Sequence, residues 1–382
     1  MQKYTVTKTL GTGAFGDVFQ ACLRSNPEER VAIKKIKQKY KSWKECLHLR
    51  ELASLKVLRH VNIVRLKEMI LENELLHFVF EYCDGNLYEE MKKERFSRER
   101  IQLSMRQIFS GISYMHKQGY FHRDMKPENV LIKDGVLKLA DFGLAREVRS
   151  RPPYTMYVST RWYRSPELLL RSETYNSPVD VWACGCIMAE LFMNDPLFAG
   201  QSEVDMLMKI FMACGWPTKS SWPEGVPLLQ TRGITTLPEK IIGLESMTKN
   251  RVPHDAMDLI RHCMTLDPAR RYSGLNALKH PFLSIDEAAI TRQLSLGSRA
   301  EMERRVEGKM GGGSGGAAGG GGGASAVEGK TGDPAGQGSG ERPRRIEGKR
   351  SQFESKVAER SLNDTVDTDD LTALLDEMEG KH

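Results

Sequence analysis

The 382-residue chain has no run of eighteen apolar residues, so nothing in it reads as a helix that crosses a bilayer. Its opening, MQKYTVTKTL, lacks the uninterrupted apolar stretch of a secretory signal, and synthesis into the cytosol without membrane insertion is expected. Cysteine is sparse: the seven thiols, at 22, 46, 83, 184, 186, 214 and 263, are odd in number and form no CxxC pair. That spacing argues against a disulfide framework and a paired-thiolate zinc site, and the cysteines read as reduced, packed side chains. With 40% hydrophobic and 28% charged residues, the composition excludes fibrous and membrane classes.

No strong charge excess of one sign is present either. Residues 286–382 carry 14 Lys and Arg against 18 Asp and Glu, which leaves 42 against 32 for residues 1–285. Nucleic acid would demand a clustered basic stripe with interleaved aromatics, so no nucleic-acid partner is expected. The one compact basic run, 342-RPRRIEGKR-350, sits in a Gly-rich segment, where solvated linker and nuclear-import patch are both open readings.

A chain of this length exceeds what one core usually supports, so two packed lobes with an appendage are expected. Alternating apolar and β-branched residues predict strands over Tyr4 to Leu10, Asp17 to Ala21 and Arg30 to Ile36, and 75-LLHFVFEY-82 reads as a further buried strand. Helical spacing from about Trp43 to Leu58 lies between the third and fourth of these. After Asp84-Gly85 the period becomes helical, as in Ile101, Met105, Ile108 and Ile112, and again over Val181 to Phe192. A Pro-punctuated stretch near 217–253 reads as loops and short helices. The expected fold is α+β, with a β-rich first lobe at 1–82 and a larger helical lobe at 83–285. The last 97 residues hold 19 of the 34 glycines and read as a disordered tail at 286–382. Within that tail, 370-DLTALLDEM-378 would place Leu371, Leu374, Leu375 and Met378 on one helical face.

Three motifs carry chemistry. In 11-GTGAFG-16, Gly11, Gly13 and Gly16 lack Cβ atoms, so the backbone could close over a polyphosphate, although a simple turn or a dinucleotide fingerprint fits the same pattern. The strand motif 31-VAIK-34 would place Lys34 beneath that loop; on a buried face it needs an anion, and Glu51 on the following helix is a candidate. The most specific signal is 122-HRDMKPEN-129 with DFG at 141, spaced for a catalytic loop, a short hairpin and a metal-binding turn. His122 is expected to pack and to do no acid–base work, and Phe142 to act as an apolar wedge.

These motifs resemble the protein kinase signature, and the roles that follow are what the resemblance implies. Asp124 would face the acceptor hydroxyl, Lys126 the γ-phosphate, and Asn129 with Asp141 would hold Mg2+. The Lys34–Glu51 pair would orient the phosphates of ATP. Further markers, 49-LRELASLK-56, 78-FVFEYCDGNLYEEMK-92 and 153-PYTMYVSTRWYRSPE-167, resemble the CMGC group and within it the MAK/ICK-type RCK kinases, which are MAPK-like and associated with cilia or flagella. By that resemblance Phe80 is the gatekeeper, Glu81 and Cys83 form the adenine-binding hinge, and Leu10, Val18, Ala32 and Leu131 line the nucleotide. Glu167 would pair with Arg271, and Asp180 would brace the catalytic loop.

The same resemblance implies a monomeric Ser/Thr kinase acting on Ser/Thr-Pro sites in protein substrates, switched by an upstream kinase at Thr155 and Tyr157. A cytoplasmic location is expected, with the cilium, flagellum or nucleus also open. Two departures stand out: Met156 lies where the family usually has an acidic residue, and Ser165 where Ala is usual. A pseudokinase scaffold would lack one of Lys34, Asp124, Asn129 or Asp141, and all four are present. A cyclin-dependent kinase shares the fold, but 45-ECLHLREL-52 is unlike that family's cyclin-contact helix.

Overall fold

The computed structural model describes residues 1–13, 16–47, 55, 57–142, 146–147, 161–285 and 365–367. Residues 1–294 and 362–382 belong to one compact unit; 295–361 fall in a second, all of it outside the described residues. Arg50, Glu51, Thr155, Tyr157 and the 370–378 helix candidate also lie outside them.

An antiparallel sheet opens the chain. Its strands are β1 (Tyr4–Thr12), β2 (Gly16–Leu23), β3 (Arg30–Lys39), β4 (Leu66–Glu72) and β5 (Leu75–Glu81), in spatial order β1-β2-β3-β5-β4. Because side chains alternate across a sheet, its two faces differ. Tyr4, Ala21, Val31, Ile33, Ile70 and Val79 cluster on one face, all buried, with Met1 and Leu23 packed against them. The opposite face carries Val18, Ala32, Lys34 and Phe80, all of them half-buried. The register sets Val18 against Lys34, Lys34 against Phe78 and Phe78 against Met69.

The expected strands are present, each slightly longer or shorter than its pattern. β4 is an addition to them. Its sequence LKEMILE spaces its apolar residues neither by two nor cleanly by 3.6, so its pairing depends on β5 rather than on its own pattern.

The rest of this unit is mainly helical. The helix Arg98–Lys117 starts at Ser97, whose side chain accepts the Arg100 N–H, and buries Ile101, Met105, Ile108 and Ile112 as the period predicts. Pro178–Met193 runs through the middle of the core with nearly every residue buried and ends on Asn194 in the left-handed conformation (φ 60°). The stretch near 217–253 contains the short helices Gly225–Thr231 and Gly243–Met247. Two small antiparallel sheets complete the unit: β7 (Tyr120–Phe121) pairs with β10 (Arg146–Glu147), and β6 (Gly85–Asn86), β8 (Val130–Lys133) and β9 (Val136–Leu139) form a three-stranded sheet in the order β6-β8-β9. β11 (Thr365–Asp367), from the Gly-rich tail segment, pairs with β4.

Arg271 locks the helical region. Its guanidinium meets Glu167 at 2.7 and 3.1 Å with side chains 0% and 3% exposed, and also donates to the carbonyls of Thr265, Leu266 and Pro178. Such a pair is sustained because every charged atom is hydrogen-bonded, and removal of one partner strands the other charge. Arg271→Met should therefore lower unfolding free energy by about 3–5 kcal/mol in urea titration, and Glu167→Gln added to it should recover part of that loss.

Candidate functional site

The 122–129 loop sits on a buried carboxylate. Asp180, fully buried, accepts the backbone N–H of His122 and of Arg123 at 2.8 Å each, and its Oδ2 also meets His116 Nε2 at 2.8 Å. Burial alone would raise its pKa, but these bonds and the nearby His116 and His122 hold it below the usual carboxylate range. The brace fixes Arg123 in the left-handed region (φ 75°), an uncommon conformation for a residue with a side chain.

His122 is fully buried, and both ring nitrogens are engaged: Nδ1 accepts the Asp124 N–H at 3.3 Å and Nε2 donates to the Ala140 carbonyl at 2.9 Å. The ring thereby ties the loop to the segment that precedes Asp141, as its packing role requires. Phe142 is 1% exposed, with its ring 5.3 Å from that of His122.

Three of the expected site residues converge on the loop. Lys126 Nζ donates to Asp124 Oδ2 at 2.7 Å, and Asn129 Nδ2 donates to the Asp124 carbonyl at 2.7 Å and to its Oδ2 at 3.1 Å. With the amide nitrogen so used, Asn129 Oδ1 is the atom left to take a cation. Asp141, in the left-handed region (φ 63°), accepts from Lys34 Nζ at 3.1 Å, so the sheet lysine reaches across to the helical region. Burial would raise the Asp141 carboxyl; the Lys34 charge and hydrogen bond, helped by His122 and Lys126, hold it below its ordinary value. Among the described residues there is no cluster of three or more His, Cys, Asp or Glu side chains suited to a metal. Asp141 and Asn129 themselves offer one carboxylate and one amide oxygen, both hard oxygen donors.

The sheet face that carries Lys34 also carries the glycines and apolar residues expected around it. A Cβ at Gly11 would meet nothing within 4 Å and one at Gly13 only the Gly16 carbonyl at 3.6 Å, so space lies open there. Gly16 differs: a Cβ there would come within 2.4 Å of the Lys35 carbonyl, so this glycine is needed for β2 to approach β3. Val18, Ala32, Phe80 and Leu131 are half-buried, and Leu10 is 41% exposed. Glu81 commits its carboxylate elsewhere, to Lys133 at 2.9 Å, Lys138 at 3.0 Å and the Arg65 N–H at 2.9 Å, and its own N–H donates to the Arg65 carbonyl. Its side chain is therefore held away from any ligand. The next described hydrogen-bond donor along the chain is at Asp84, whose N–H reaches the Ile132 carbonyl, while Cys83 has no hydrogen bond among the described residues.

One pair escaped the sequence reading. Tyr163, between Arg161 and Arg164, donates its hydroxyl to Glu190 Oε2 at 2.7 Å deep in the helical region. Burial pushes the Glu190 carboxyl up to about 7, with the Glu128 and Asp195 charges adding to it and the Tyr163 bond opposing it. Only the Tyr in 161-RWYR-164 could have hinted at the contact, since Glu190 and Asp180 are the two acidic residues of a largely apolar helix and nothing in the pattern tells their partners apart. Because the folded value lies above the ordinary 4.5, Glu190 favours the folded state fully below about 4.5, and that contribution is lost as pH rises to about 7. Glu190→Gln should abolish this part of the slope. Urea midpoints of variant and wild type should diverge between pH 4.5 and 7, and parallel curves would refute the burial argument.

The family model described as "Protein kinase domain" matches residues 4–283. The chain is 46% identical over 312 residues to serine/threonine-protein kinase MAK of Homo sapiens, covering 80% of this chain and 49% of that protein. To serine/threonine-protein kinase ICK of Rattus norvegicus it is 48% identical over 292 residues, 75% of this chain and 46% of that one. To cyclin-dependent kinase F-3 of Oryza sativa subsp. japonica it is 46% identical over 287 residues, 75% of this chain and 66% of that one. The chain thus spans about half the length of the MAK and ICK relatives.

Proposed function

The chain belongs to the protein kinase family, and we propose that it is a Ser/Thr kinase that transfers the γ-phosphoryl group of Mg-ATP to protein hydroxyls. The observation that carries this reading is the convergence of Asp124, Lys126 and Asn129 on one loop while Lys34 meets Asp141. Bound Mg2+ would neutralise phosphate charge; Asn129 Oδ1 and the Asp141 carboxylate are the residues that would hold it. Lys34 would orient the phosphates from the sheet face. Asp124, held in place by Lys126 and Asn129, would position the acceptor hydroxyl and take its proton. Glu81 and Cys83 would offer adenine their backbone groups, with Phe80 beside them and Leu10, Val18, Ala32 and Leu131 against the base.

A scaffold without catalysis is disfavoured because no group the chemistry needs is missing. The family relationship also supports a proline-directed enzyme: proline has no N–H to leave unpaired in a substrate groove. Asp124→Asn should lower single-turnover transfer by about a hundredfold or more while nucleotide binding stays near wild type. Lys34→Arg should also impair turnover, since a planar guanidinium does not replace a compact ammonium. The assay is transfer from Mg-ATP to a peptide library, with Asp141→Asn as the inactive control. Transfer by Asp124→Asn within a few-fold of wild type would overturn the mechanism, and indifference to Pro after the acceptor would overturn the substrate class.

Phosphorylation of Thr155 and Tyr157 is the regulation this reading favours. Arg164 supports it: burial, then the neighbouring Arg161 charge, pull its pKa below the usual guanidinium value. Two arginines close enough to feel each other's charge would favour an added phosphate, which brings about two negative charges and one to three charge-assisted hydrogen bonds. Thr155→Ala and Tyr157→Phe, with loop occupancy checked by mass spectrometry, should each lose at least tenfold in turnover; full activity in both would exclude the switch.

A further inference from the structure

β4 lies at the edge of the sheet formed by residues 1–81, and an edge strand presents backbone N–H and C=O groups that a second strand can take up. In this chain the edge is covered. β11 runs antiparallel to β4, with Thr365 opposite Ile70, Val366 opposite Met69 and Asp367 opposite Glu68. The residue pairs continue inward without a break: Val366 faces Met69, Met69 faces Phe78, Phe78 faces Lys34 and Lys34 faces Val18. One rung of the sheet therefore joins the far end of the chain to the strand that carries Lys34.

We propose that the edge of β4 is a strand-docking site and that its occupant is the segment Thr365–Asp367 of the same chain. The proposal does not depend on the phosphoryl-transfer reading. Two features of the sequence favour this occupant over other parts of the tail. In 362-LNDTVDTDD-370, Thr365, Val366 and Thr368 concentrate β-branched residues, which suit a pleated strand, whereas 311-GGGSGGAAGGGGG-323 has none. The segment 286–364 is long enough to reach back to the sheet from Ile285, and a tether of this kind supplies an effective concentration of about a millimolar. A pairing of three residues is weak in isolation, so the tether is what keeps the edge occupied.

Glu68 contributes from the protein side. It is 5% exposed, and its carboxylate is engaged by Lys3 Nζ and the Tyr4 hydroxyl from β1, so the start of the chain clamps the position that Asp367 faces. The docked segment thus completes a sheet whose edge is prepared by the first few residues. While it is seated, any other extended peptide is denied the same edge.

The test is hydrogen exchange of the full-length chain, comparing wild type with the double variant Thr365→Pro and Val366→Pro. In an antiparallel pair, successive residues alternate in whether they bond to the neighbour, so replacing two in a row removes at least one N–H that faces β4. The β2 and β3 amides provide the internal control for folding. The expected result is at least tenfold faster exchange of those amides within Glu68–Ile70 that do not bond to β5, unchanged exchange in β2 and β3, and wild-type protection that does not vary with dilution. Equal exchange in both proteins would overturn the proposal. Protection that disappears on dilution in step with loss of a dimer would also overturn it, by making a second copy the occupant.

Discussion

The Asp180 carboxylate is the point on which the 122–129 loop rests. Taking a carboxylate fully out of water costs several kcal/mol, and it persists only where hydrogen bonds replace the lost solvent. Here the donors are the His122 and Arg123 N–H groups and the His116 ring, each bond to a charged acceptor contributing roughly 1.5–3 kcal/mol. Those magnitudes roughly balance the desolvation. The stability gained is therefore small, and what the arrangement secures is geometry. Two consecutive backbone amides are pinned to one carboxylate, so Arg123 stays in its left-handed conformation and Asp124 follows from a fixed direction.

From that anchor the order spreads by short links. His122 passes it to Ala140 through the ring, and Ala140 returns it to the loop by donating its N–H to the Asn129 carbonyl at 2.9 Å. The residue after Ala140 is Asp141, which is left-handed like Arg123 and reaches Lys34. Two strained non-glycine residues, each costing on the order of 1–3 kcal/mol, thus flank a closed circuit of hydrogen bonds that over-determines both. Strain of this kind is retained where side-chain direction matters more than stability. The carboxylates of Asp124 and Asp141 are the two side chains it directs.

Much of this was legible in the sequence because it is local. HRDMKPEN places Asp124, Lys126 and Asn129 within six residues, so one loop conformation brings them together, and DFG follows after a hairpin too short to wander. The helical period of Ile101 to Ile112 was legible for the same reason. What the pattern could not reveal depends on partners distant in the chain. β4 looks like a strand only when β5 is beside it. Glu81 was expected at the hinge, yet nothing near it announces that Lys133 and Lys138 capture its side chain. Tyr163 and Glu190 are similarly invisible as a pair. The glycines divide along the same line: the open space at Gly11 and Gly13 suits a ligand, while Gly16 answers to the packing of β2 on β3, and the motif GTGAFG does not distinguish them.

The donor set at Asp141 and Asn129 carries a last consequence on the proposed reading. Mg2+ holds its water strongly and is bound by few protein ligands, with substrate phosphates making up the rest. In this chain the single carboxylate is already shared with the Lys34 ammonium, which holds it ionised but also offsets its charge. Asn129 adds a neutral oxygen. On that reading Asp141 and Asn129 would hold the metal, which would supply charge neutralisation beside the phosphates that Lys34 would orient. The Lys34–Asp141 contact would then loosen as phosphate attracts the ammonium, so nucleotide and metal would each favour binding of the other.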